Sequence, residues 1–140
     1  MSEGLDRFVA AGDDTHAAAC AELRAGRKRT HWMWWTFPQL AGLGRSPTAR
    51  RYALRDAAEA RAFLAHPILA ARLAEAMDAM MANAGTPADR VLGAVDAAKL
   101  RSSMTLFVGV AADPAPFAAV LDAFGDGVPC APTRRRLADG

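Results

Sequence analysis

Cysteine is scarce in this chain: only Cys20 and Cys130 occur, and their separation matches neither a metal-ligand nor a redox spacing. Cys20 lies among alanines and reads as a small buried hydrophobe. On these grounds no metal site and no cofactor is expected. Isoleucine and tyrosine occur once each and valine is sparse, which argues against extended sheet. Long apolar runs are missing as well. The stretch from Met104 to Ala112 is about half the ~20 residues that a bilayer requires, so no membrane association is expected. No basic segment followed by an apolar one opens the sequence, and the expected location is the cytoplasm. Lysine is the last scarcity. Of 17 basic residues only Lys28 and Lys99 are lysine.

Alanine, the best helix former, makes up about a quarter of the residues. The 52% hydrophobic and 23% charged content is ordinary for a globular core under a solvated surface. The predicted fold is all-α, a compact single-domain array of roughly seven short helices over residues 1–125. The proline, glycine and arginine from 126 to 140 predict a loosely ordered C-terminal tail. Leu5, Phe8 and Val9 give a first amphipathic segment, and a second runs from a cap at Asp13 or Asp14 to Gly26. Ser46-Pro47, Asp56, His66-Pro67, Thr86-Pro87 and Asp113-Pro114 each read as helix starts. Periodicity alone leaves Ser102 to Val110 open between buried strand and buried helix. Its helical flanks and the lack of a partner strand favour helix.

The formal charge of +2 conceals a segregated distribution. From Arg24 to Arg55 there are eight basic residues, all three tryptophans and no acid, which leaves nine basic against fifteen acidic residues elsewhere. Such a segment suits an anion attached to a flat ring, such as a nucleotide. Pairing with acidic helices is the ordinary alternative, and surface pairs of that kind stabilise little. A dedicated nucleic-acid binder is argued against by the fifteen acids and a pI near 8.8.

Two stretches concentrate the chemistry. The first runs from Lys28 to Ser46. If residues 31–37 are helical, His31 and Trp35 share a face with Trp32 beside it, and Gln39 follows the break at Pro38. His31 titrates near neutrality and could move a proton. The loop Gly42 to Ser46 feeds a helix start, where free N–H groups and Arg45 could hold an anion. It lacks the glycine spacing and Lys-Ser/Thr pair of a P-loop. The second stretch places Asp96, Lys99 and Ser103 on one helical face, with Ser102 adjoining, where the helix enters the core. The simplest structural role for Asp96 is an N-cap. The two lysines fall one in each stretch, which hints that a compact ammonium is required there.

The block Arg27 to Leu40, with Gly42-Leu43-Gly44-Arg45-Ser46 after it, resembles the signature of a bacterial family, domain-of-unknown-function family 1810. Leu64 to Leu69 and Lys99 to Phe107 resemble the same family in the same order. Trp35 departs from an expected phenylalanine and His16 stands near an expected tyrosine. The resemblance implies a compact, mainly helical domain. It carries no activity onto any residue, and the label calpastatin sometimes attached to the family gives no reason to expect a calpain inhibitor, which is disordered.

The two stretches together predict a cleft for a small anionic, nucleotide-like ligand. His31 and Lys99 are its candidate catalytic groups. Lys28, Trp32, Trp35, Gln39, Arg45, Ser46, Ser102 and Ser103 are its candidate ligand-binding groups. No nucleophile–base–orienter set is complete, so no enzyme activity is read. The alternative is a non-enzymatic protein-interaction or adaptor module in which the same residues form core, with no protein partner identifiable. Burial of Trp32 and Trp35 discriminates the two.

Overall fold

The computed structural model describes residues 3–125 and 127–139. Among them ten helices occur: α1 (Glu3–Asp13), α2 (His16–Arg24), α3 (Met33–Thr36), α4 (Pro47–Arg51), α5 (Ala57–Ala65), α6 (Pro67–Met81), α7 (Ala88–Leu92), α8 (Ala94–Val110), α9 (Ala115–Gly125) and α10 (Ala131–Asp139). The all-helical class stands, but the number exceeds the roughly seven expected. The excess is α3, α4 and α7, which are four or five residues long, too short for a hydrophobic period to register. Outside the helices the described residues contain one isolated bridge, Leu40 to Leu54, and no strand.

Local chemistry explains most boundaries. Ser46 accepts the Ala49 N–H at 3.0 Å with Pro47 in the first turn, and Asp56 accepts the Glu59 N–H at 2.8 Å. His66 serves α6 through its ring Nδ1, 3.4 Å from the Leu69 nitrogen. Gly26 leaves α2 at φ +78, a conformation that costs other residues a Cβ clash. The ambiguous Ser102–Val110 stretch is helix, the second half of α8. Asp96 lies within the first turn of α8 rather than at its cap, a position held by Gly93.

The core is threaded by aromatic rings. Trp35, Tyr52, Phe8, Phe63, Phe107 and Phe117 meet in that order, with centroids 4.9, 6.0, 5.4, 5.7 and 5.4 Å apart. Each such pair adds about 0.5–1.5 kcal/mol beyond simple burial, and the chain of rings ties α3 and α1 through α5 to α8 and α9. Helix α8 packs against α5, α7, α9 and α10, while α2 lies along α6. Its buried Leu100, Met104, Leu106 and Phe107 make it the central element.

The stretch expected as a loose tail contains a further helix. Residues 131–139 form α10, which packs on α8 through fully buried Thr133. Thr133 Oγ1 lies 3.1 Å from Ser102 Oγ, and the Thr105 hydroxyl accepts the Cys130 N–H at 2.9 Å. Those polar anchors are what a pattern search for apolar faces overlooks. The expected boundary at Asp126 lies outside the described residues.

Candidate functional site

The site begins with the turn after α2. Gly26 reverses the chain, and the Lys28 N–H donates to the Val91 carbonyl of α7 at 2.7 Å. Glu22, from the last turn of α2, then gathers the turn. Its Oε1 accepts the N–H groups of Arg29 at 2.6 Å and Thr30 at 2.9 Å and the Trp32 indole N–H at 3.1 Å. Its Oε2 accepts the Thr30 hydroxyl at 2.6 Å. Burial pushes this carboxyl up, but the hydrogen bonds from Thr30, Arg29 and Trp32 together outweigh it, and the pKa falls to about 2.

The clamped turn delivers Lys28 to α8. Lys28 Nζ donates to the Thr30 carbonyl at 2.7 Å and lies 3.1 Å from Asp96 Oδ2. Lys99 Nζ lies 3.1 Å from the other oxygen, Oδ1. The two lysines of the chain therefore share one carboxylate. The three side chains are only 11%, 16% and 18% exposed for Lys28, Asp96 and Lys99, which places the triad in a partly desolvated seam. Each ammonium also rests on an indole: Lys28 is 5.1 Å from the Trp32 ring centroid and Lys99 is 3.8 Å from that of Trp34.

The Gly42–Ser46 loop reaches the same place. A side chain at Gly44 would strike the Ala49 Cβ, and its Cβ position is 3.9 Å from Trp34 Cη2, so the loop lies along the Trp34 ring. Arg45 on this loop is exposed, and His31 is exposed beside the clamped turn. Among the described residues neither makes an ion pair or a side-chain hydrogen bond.

Other expected site residues go elsewhere. Trp32 is buried at 1% exposure and Trp35 is half-buried, with its indole N–H donating to Thr15 Oγ1 at 2.9 Å and its ring against Tyr52. Ser46 uses its hydroxyl as the α4 cap, and Ser102 uses its own on Thr133. The Gln39 carbonyl accepts the Leu54 N–H at 2.9 Å in the bridge segment. Ser103 is fully buried and its hydroxyl has no partner among the described residues. Nor do the lysines line a deep cleft. A cavity of about 560 Å³ lies between α8, α9 and α10, bordered by Val108, Leu121 and Arg134, and one of about 350 Å³ lies beside α6 at Leu73 and Met77. Neither touches Lys28 or Lys99.

Three positions in this arrangement escaped the residue-type argument. Asp96 bridges the lysines instead of capping the helix, a role that its shared face with Lys99 could have suggested. Trp34, not Trp35, presents its face to a lysine, because α3 is a single turn and the His31–Trp35 spacing never becomes helical. Glu22 carried no local signal, since its partners are seven to ten residues downstream in a non-helical turn.

A family model described as protein of unknown function (DUF1810) matches residues 2–137. A crystal structure of a conserved hypothetical protein from Mycobacterium tuberculosis is 42% identical, with a TM-score of 0.93 over 96% of each chain. No functionally curated protein matches. The chain belongs to the DUF1810 family.

Proposed function

We propose, from a family whose description assigns no activity, that the face built by Lys28, Asp96, Lys99 and Trp34 binds a small anionic ligand carrying a flat ring. The observation that carries this reading is the convergence of the only two lysines on one carboxylate, each over an indole. Two ammoniums and one carboxylate leave one positive charge in a partly desolvated seam, where an anion is attracted more strongly than at an open surface. Among the described residues Asp96 is the one polar partner of the Lys99 ammonium, which leaves two of its three donors for a ligand. Arg45 on the neighbouring loop adds a guanidinium suited to phosphate or carboxylate. The half-buried Trp34 offers the ring surface, in place of Trp32 and Trp35, whose indoles belong to the fold. The face is shallow, so the ligand lies across it rather than inside a cleft.

A second reading is supported by a specific observation. Trp32, Trp35, Ser46 and Ser102 are all engaged in internal packing or hydrogen bonds, as a protein-interaction or adaptor module would have them. A thermal-shift screen against nucleotides and phosphorylated metabolites separates the two. At a hundredfold excess over Kd a true ligand stabilises by about 2.7 kcal/mol, on the order of 8 °C for a chain of this size. Lys99→Ala and Arg45→Ala are expected to abolish the shift while melting close to wild type without ligand. A wild type that responds to no anion, or a shift that survives in Lys99→Ala, would transfer the weight to the interaction module.

A further inference from the structure

On the far side of α2 from the lysine turn, a second cluster has no part in the site above. His16 and Cys20 stand one helical turn apart on α2, and Glu75 faces them from α6. His16 Nε2 lies 3.4 Å from Glu75 Oε2 and 3.6 Å from Cys20 Sγ, and the three ligand atoms all fall within 4.8 Å of one another. The two separations from His16 Nε2 are those that a single ion would impose, and the thiol and carboxylate need only a small side-chain rotation to share it. Zinc bonds of about 2.3 Å to sulfur and about 2.0 Å to nitrogen or oxygen, at the tetrahedral angle, put S and N about 3.5 Å apart and N and O about 3.3 Å apart. A hydrogen-bonded His–Glu pair needs no thiol beside the same ring nitrogen, yet here Nε2 is the atom nearest both partners.

We propose that His16, Cys20 and Glu75 form a three-ligand site for zinc that joins α2 to α6. One thiolate, one imidazole and one carboxylate is a donor set of the borderline kind zinc prefers, and it excludes magnesium and calcium, which require oxygen throughout. On binding, the Cys20 S–H bond breaks, its electron pair forms the S–Zn bond, and the proton leaves to water. The two anionic ligands then balance the divalent charge. Cys20 is buried while Glu75 is exposed, so the fourth position opens toward solvent on the α6 side and takes water. Burial raises the pKa of the free thiol, the charge of Arg24 opposes that rise and Glu75 adds to it.

Sequence spacing hid this arrangement because Glu75 comes from another helix, and the pair on α2 is one cysteine and one histidine rather than a repeated motif. The test uses the full chain titrated with Co²⁺ as the spectroscopic probe and then with Zn²⁺ in competition. The expected result is one equivalent bound, with a thiolate-to-cobalt charge-transfer band and tetrahedral visible absorption, displaced by zinc. Cys130→Ser should leave the band intact, whereas Cys20→Ser should abolish it. Glu75→Gln and His16→Ala, both at half-buried or exposed positions, should fold normally and weaken binding by roughly tenfold or more. Zinc should also raise the wild-type Tm and leave that of His16→Ala unchanged. A band that persists in Cys20→Ser, equal affinity in Glu75→Gln, or no cobalt band at all would overturn the assignment.

Discussion

Replacing Glu22 by glutamine asks whether the turn presenting the lysine triad is held by charge. The carboxylate receives four hydrogen bonds, from the Arg29 and Thr30 amides, the Thr30 hydroxyl and the Trp32 indole. Although burial opposes ionisation, these bonds lower its pKa from the ordinary 4.5 to about 2. A change of that size corresponds to about 3 kcal/mol in favour of the charged form. Glu22 is only half-buried, and solvent screening reduces the net stabilisation to about 1–2 kcal/mol. Because the folded value lies below the unfolded one, this stabilisation is complete above about pH 4.5 and is lost as pH falls through about pH 2. Glutamine keeps one carbonyl acceptor but has no charge to titrate. Melting followed by circular dichroism should show Glu22→Gln about 3–8 °C below wild type near neutral pH. The gap should close as both are taken from about pH 5 toward about pH 2.5, because only the wild type has this carboxylate to lose. Tryptophan emission should shift to the red in the variant as the Trp32 N–H loses its carboxylate acceptor. A gap that stays constant across this pH range would refute the ionic clamp, and so would identical melting at neutral pH.

Two further substitutions probe the polar groups along α8. Ser103→Ala removes a fully buried hydroxyl that has no partner among the described residues, so it should be neutral or raise stability by up to about 1 kcal/mol in a denaturant titration. It should also leave any anion-induced thermal shift unchanged. Thr133→Val keeps the shape of a fully buried side chain but deletes its contacts to Ser102 and Cys130. It should cost about 1–2 kcal/mol and expose α10 to limited proteolysis ahead of the rest of the chain. Cleavage no faster than wild type would show that apolar packing alone holds the C-terminal helix.

Helix starts were legible because they depend on neighbours in sequence. Asp56 capping α5, Ser46-Pro47 opening α4 and His66-Pro67 opening α6 are each settled within four residues. The α10 helix was not. Its first half carries proline and a run of three arginines, its apolar face is little more than Leu137, and what fixes it is a Thr133–Ser102 contact across 31 residues. Helix α8 shows the converse. Its apolar residues are spread all round and Ser102, Ser103 and Thr105 are buried among them, so no period separates its faces, and packing against α5, α7, α9 and α10 makes that pattern the right one for a central helix.

The candidate site divides along the same line. Residue type pointed to Lys28 and Lys99, because lysine is rare enough here for its two occurrences to carry information, and the structure brings both to Asp96. Residue type did not distinguish the tryptophans from one another. All three stand within four residues, yet one indole is buried against Glu22, one joins the aromatic chain through Tyr52, and one lies under Lys99. Which ring takes which role is decided by the single turn of α3 and by where the Glu22 clamp lets the chain enter it. Neither is encoded in the composition of the block. The same carboxylate that orders the turn therefore selects the indole that lies under Lys99, and loss of Glu22 should impair the proposed anion binding through Trp34 and Lys28 without touching a ligand itself. A Glu22→Gln variant whose anion-induced shift matched wild type would mean that α3 fixes its own orientation, and the clamp would then be a matter of stability alone.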